Sequence, residues 1–112
     1  MKVNVSTQGH YTVVALSGDV DLQYSPLARA QILRHLQARQ HVLVDLSAVD
    51  YIDSSGIASL VEGFQLARNE GLEFGLVGVS ERAMQVLELA RLDRVFEIHV
   101  SVEQRLKQRA SA

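Results

Sequence analysis

The sequence predicts one α/β domain over residues 1–112, built on a mixed, mostly parallel β-sheet. Two observations lead to that class. Patterns of period two and period 3.6 alternate along the chain after an opening pair of adjacent strand patterns, in the order β-β-α-β-α-β-α-β-α. The composition agrees: 47% of the residues are apolar, with a single Pro and 5% aromatics, which suits a packed core and not a disordered or collagen-like chain. At 112 residues there is room for a real core but little for a second module, and no linker, repeat or low-complexity segment divides the chain.

The elements follow in order. Val3 and Val5 alternate with polar residues, Gly9-His10 makes a turn, and Tyr11–Leu16 is a second strand, so the two form an antiparallel hairpin. After Gly18-Asp19-Val20-Asp21, Ser25 suits a helix N-cap and Pro26 the first helical position. Ile32, Leu33 and Leu36 then share one helix face. His41–Leu46 is apolar enough for a central strand covered on both sides, ending in a short polar turn. From Asp53-Ser54-Ser55-Gly56 onward, Ile57, Leu60, Val61 and Phe64 keep the i, i+3, i+4, i+7 spacing of an amphipathic helix that Asn69-Glu70-Gly71 ends. Phe74–Val79 is another buried strand, with Gly75 and Gly78 suited to close backbone approach. Ser80 caps a helix whose apolar stripe is Ala83, Val86, Leu87 and Ala90. Val95–Val100 is the last strand, and Ser101 with Gln104 resembles a capping box opening a C-terminal helix. The basic residues of that helix, Arg105, Lys107 and Arg109, read as a solvated cap without function.

Charge and composition remove several function classes. The net charge is −2, so nothing favours nucleic acid or an anionic membrane. There is no Cys, which excludes disulfides, thiolate zinc sites and a cysteine nucleophile. The N-terminus lacks the apolar core of a secretory signal, and no apolar run approaches the ~20 residues that span a bilayer. The expectation is a cytoplasmic, soluble chain with no direct membrane insertion, while docking to a membrane protein stays open.

Catalytic signatures are equally absent. Ile52-Asp53-Ser54-Ser55-Gly56 lacks the leading Gly of a nucleophile elbow. No metalloprotease, phosphate-loop or dinucleotide-binding motif occurs. His10, His35, His41 and His99 are isolated and suit surface or strand-end positions, and Asp19/Asp21 and Asp50/Asp53 suit turns better than acid–base or metal chemistry. The sequence therefore predicts no enzyme, no catalytic residue, no metal and no cofactor.

What remains is the Asp53-Ser54-Ser55-Gly56 junction. Asp and Ser are good helix N-caps and Gly permits a tight entry, so the run has a purely local explanation. The same geometry sets two hydroxyls beside the positive end of a helix, where an anion is favoured by about 0.3–1 kcal/mol and a modifying enzyme has access. A phosphoserine there, adding ~1.5–2 negative charges next to Asp53, would make the turn strongly anionic.

Three segments together resemble the STAS domain family, and within it the bacterial anti-sigma factor antagonists (anti-anti-sigma factors): Leu16-Ser17-Gly18-Asp19-Val20-Asp21, Val42-Leu43-Val44-Asp45-Leu46, and Tyr51-Ile52-Asp53-Ser54-Ser55-Gly56-Ile57. The resemblance runs over nearly the whole chain. It implies a small mixed sheet with helices packed mainly on one side. It also implies partner switching, in which unphosphorylated antagonist binds an anti-sigma factor, usually a serine kinase of the GHKL type, and frees the sigma factor. The kinase phosphorylates the Ser after the motif's Asp, here Ser54, and a PP2C-type phosphatase reverses this. Asp21, Asp53, Ser54, Ser55, Gly56 and Ile57 would form the partner-binding surface. Ala58 stands where many antagonists have Gly. Ala there also occurs in STAS subunits of ABC-type lipid transporters, which bind an ATPase subunit, and that is the alternative reading.

Overall fold

The computed structural model describes the backbone of residues 1–111 and the side chains of residues 1–108. β1 (Lys2–Gln8) and β2 (Tyr11–Val20) pair antiparallel through the turn at Gly9-His10. Helix α1 (Ser25–Gln37), strand β3 (His41–Ile52), α2 (Ser54–Glu70), β4 (Phe74–Val77), α3 (Glu81–Leu89), β5 (Glu97–His99) and α4 (Val102–Ser111) follow. The strands lie in sheet order β1-β2-β3-β4-β5, and every pair after the first is parallel. The expected mixed, mostly parallel sheet is thus observed.

Each parallel connection steps to the next strand in the same direction. A common hand of crossover then puts α1, α2 and α3 on one face of the sheet. Their buried residues, among them Ile32, Leu36, Leu60, Ala67, Ala83 and Leu87, form one cluster with Val14, Leu16, Val44, Leu46 and Leu76. Each leucine buried there contributes about 1.5–3 kcal/mol. The other face carries a smaller cluster of Tyr11, Val13, Leu43 and Val77, covered by Val102 and Leu106 of α4.

Several local expectations are corrected. β3 does not end at Leu46 in a polar turn: it runs on to Ile52, because the long β2 keeps pairing with it as far as Val20↔Ile52. Two register shifts take up the polar stretch, and the Asp45 carboxylate accepts the Ser47 N–H at 2.9 Å where the strand bends. Ser25 is not the N-cap of α1. It is the first helical residue and buried, and the turn before it is closed by Asp21, whose Oδ1 accepts the N–H groups of Gln23 and Tyr24 at 3.1 Å each. β4 stops at Val77 and β5 is only three residues long, so Gly78, Val79, Val95 and Val100 fall outside the strands, as does the buried Phe96. Ala90 lies past the end of α3 and is exposed. The Ser80 cap is present, accepting the Ala83 N–H, and Ser101 caps α4 through the Gln104 N–H.

Arg105 is not a solvated residue. It is mostly buried, donating to the Tyr11 hydroxyl at 3.0 Å and to Glu73 Oε1 at 2.8 Å. The side chain of Arg109 lies outside the described residues.

Candidate functional site

The carboxyl ends of β2 and β3 meet where α2 begins. Val20 O accepts the Asp53 N–H at 3.3 Å, which ties the last residue of β2 to the residue that opens the helix. Asp53 is the N-cap, in extended backbone, and Oδ1 accepts the N–H of Ser55 at 2.9 Å and that of Gly56 at 3.2 Å. The Ser55 hydroxyl donates to the same oxygen at 2.5 Å. Three donors thus converge on one carboxylate oxygen, which satisfies N–H groups a helix start otherwise leaves open. The Ser55 hydroxyl, followed by the N–H groups of Gly56, Ser55 and Leu22, holds the Asp53 carboxyl below its ordinary range against the opposing effect of burial.

Gly56 explains how close the helix comes to the sheet. A Cβ on it would lie 2.6 Å from Ile52 Cγ1, 2.8 Å from Val20 O and 3.0 Å from Val20 Cγ1. Only hydrogen fits between α2 and the ends of β2 and β3. Ser59 then ties α2 to α1, its hydroxyl within 3.4 Å of Ser25 O and donating to Ser55 O at 3.1 Å.

The residues singled out from sequence therefore divide. Asp21, Asp53 and Ser55 are half-buried and reach the same surface, and Ser54 is exposed on the first turn of α2. The Ser54 hydroxyl has no hydrogen-bond partner among the described residues. Gly56 and Ile57 are buried and point inward, so they position the helix and offer no side-chain surface. Ala58 is exposed and borders an open groove between α1 and α2.

Sequence reasoning missed the apolar rim of this end. Leu22 (77% exposed) and Tyr24 (36%) lie on the β2–α1 connection, Leu27 (48%) on the first turn of α1, and Tyr51 (51%) two residues before Asp53. Leu27 and Tyr51 break the core periodicity of α1 and β3, and that out-of-phase placement is the signal that could have found them; Leu22 and Tyr24 lie in a connection and carry no periodic signal. Four such residues at one end of a small domain are the pattern of a contact surface.

A second polar cluster occupies the opposite, amino end of the parallel strands. Glu73 receives the Tyr11 hydroxyl (3.0 Å) and Arg105 (2.8 Å), pairs with His10 (3.1 Å), and its backbone N–H donates to His41 Nδ1 (2.9 Å). These contacts pin the hairpin, the start of β3 and α4 together. His99 ends β5 with its Nε2 buried, 3.9 Å from a Glu97 carboxylate oxygen and without a hydrogen bond among the described residues, and burial, then the Arg105 charge, lowers its pKa. Among the described residues no group of three or more His, Cys, Asp or Glu is placed to hold a metal ion, and no helix is long and apolar enough to cross a membrane.

Comparison with known proteins agrees with this geometry. The model of the STAS domain family matches residues 2–105. An anti-sigma F factor antagonist of Paenibacillus polymyxa is 25% identical over 103 residues, covering 88% of each chain. The crystal structure of an anti-sigma factor antagonist from Mycobacterium paratuberculosis superposes with a TM-score of 0.83 at 22% identity, covering 96% of this chain and 92% of that one. The Bacillus cell fate determinant SpoIIAA in its phosphorylated form superposes with a TM-score of 0.75 at 14% identity, covering 96% and 98%.

Proposed function

The chain belongs to the STAS domain family, and from that premise we propose that it is an anti-sigma factor antagonist working by phosphorylation-controlled partner switching. Ser54 is the phosphoacceptor, and Asp21, Asp53, Ser54 and Ser55 belong to the partner-binding surface. The unmodified chain binds an anti-sigma factor that is also a serine kinase of the GHKL type, and a PP2C-type phosphatase restores it after phosphorylation. The protein acts in the cytoplasm, as a binding module and not as an enzyme. The relatives that match over most of their length carry the antagonist name, which supports this reading.

One observation carries it: an exposed serine with a free hydroxyl on the first turn of α2, beside the carboxylate that caps the helix. Exposed apolar side chains on the β2–α1 connection, the start of α1 and the end of β3 supply contact area at the same end of the sheet. A phosphate of ~1.5–2 charges adds to Asp53 on a surface that must lose water on binding. Weakening the complex a thousandfold requires only about 4 kcal/mol. The helix dipole tolerates the phosphate in the free domain, so binding can be lost without unfolding. A transporter subunit has no use for a phosphoacceptor at this position. Ala58, the departure that favours the transporter alternative, is exposed, and the Asp53–Gly56 turn is formed with it in place.

The test is capture of partners from the source cells on immobilised chain. Wild type and Ser54→Ala should retain a GHKL-type kinase and Ser54→Asp should lose it. A Ser54→Asp variant that retains the same partner undiminished contradicts the switch.

A further inference from the structure

Two adjacent serines open α2, and their hydroxyls are in opposite situations. Ser55 donates its proton to Asp53 Oδ1 at 2.5 Å, the same oxygen that holds the Ser55 and Gly56 N–H groups. Ser54 is exposed with its hydroxyl unpartnered. We infer that the Asp53–Ser55 pair is a selectivity lock: Asp53 withholds the Ser55 hydroxyl from phosphoryl transfer, so that modification falls on Ser54 alone. The inference rests on the reading of Ser54 as phosphoacceptor and adds what selects it.

In the transfer, the serine Oγ–P bond forms as the bond between the γ-phosphorus of ATP and its bridging oxygen breaks. ADP leaves, and the hydroxyl proton passes to a base on the kinase. At Ser54 each step proceeds without disturbing the cap. At Ser55 the hydroxyl must first rotate away from Asp53. The product would then place a phosphate in direct contact with the carboxylate that caps the helix, two like charges competing for the same N–H groups. Asp53 is also a poor base for Ser55, since the donors that converge on it stabilise its ionised form. Ser55 is thus a positioning residue, holding the carboxylate in place by the bond that keeps its own oxygen occupied.

Tagged wild type, Ser55→Ala, Asp53→Asn and Asp53→Ala are expressed in the source cells, checked for folding by circular dichroism, and mapped by fragmentation that separates the two serines. Asn is itself a good N-cap, so Asp53→Asn keeps the test valid if the alanine variant fails to fold. Wild type and Ser55→Ala should carry phosphate at Ser54 only. In the Asp53 variants the Ser55 share should rise at least ~tenfold, a change of about 1.4 kcal/mol in selectivity, and more in Asp53→Ala than in Asp53→Asn. Folded Asp53 variants that keep the wild-type distribution overturn the lock while leaving the switch intact. Variants that lose all phosphate also overturn it, because Asp53 would then act in kinase recognition. A wild type free of phosphate at both serines overturns the functional reading together with the lock.

Discussion

Gly56→Ala tests how the switch helix is seated. The added Cβ would sit 2.6 Å from Ile52 Cγ1 and 2.8 Å from Val20 O, against the ~3.5–4.0 Å at which such atoms are comfortable. The Ile52 side chain can shift, but the Val20 carbonyl cannot do so freely. It belongs to the last residue of β2 and accepts the Asp53 N–H, a bond whose loss costs about 0.5–1.5 kcal/mol. Overpacking of this kind costs about 1–3 kcal/mol. Alanine's better helix propensity returns at most ~1 kcal/mol. The strain and the strained bond together leave a net loss of about 1–3 kcal/mol, which for a domain near 110 residues lowers Tm by roughly 4–13 °C. Thermal and urea denaturation followed by far-ultraviolet circular dichroism measure this directly. A Tm equal to or above that of wild type would refute the claim that α2 is held against the ends of β2 and β3 by a contact only glycine permits.

Other outcomes follow from the same coordinates. Ser54→Asp should leave Tm within about 2 °C of wild type, because an exposed surface substitution changes stability by no more than ~0.5 kcal/mol, while partner affinity falls by a factor of ~1,000, about 4 kcal/mol; isothermal titration and melting separate the two. Asp53 has a folded-state pKa below its ordinary value of 3.8, so its contribution is complete above that value and is lost as pH falls through the folded pKa. Asp53→Asn should therefore flatten the decline of stability below pH 3.8, as read by urea denaturation at stepped pH. Arg105→Ala removes charge-assisted bonds to Glu73 and Tyr11 in a partly buried site; it should cost about 1–3 kcal/mol and raise hydrogen exchange in α4 before that in the sheet. Partner binding should be unaffected, since that network lies at the other end of the strands.

The sequence revealed the fold wherever the periodicity was carried by several residues at once. The stripe of Ile57, Leu60, Val61 and Phe64 could be nothing but a helix, and the Asp53 and Ser80 caps were legible because each is a short side chain ahead of an apolar run. The extension of β3 was not, because its polar residues Ser47, Asp50 and Tyr51 face water while the strand continues through pairing with β2, a long-range effect. The end of α1 was also obscure. It stops without glycine, using Arg39 at φ 65°, a conformation that costs a side-chain-bearing residue about 1–2 kcal/mol and leaves no compositional mark. At the helix start, the turn opened by Asp53 was legible, but the difference between the Ser54 and Ser55 hydroxyls was not, since it depends on which one Asp53 faces. Arg105 was misread because its partners Tyr11 and Glu73 are distant in sequence.

If Ser54 controls partner choice, its modification state and its partner must change together in the cell. Intact-mass analysis and phosphosite mapping of the protein from its own cells, with co-purifying partners identified, test it most directly. The expected result is a mixed population: molecules unmodified at Ser54 bound to a GHKL-type serine kinase, and molecules phosphorylated at Ser54 free of it. A protein wholly unmodified and held tightly by a transporter ATPase would contradict it.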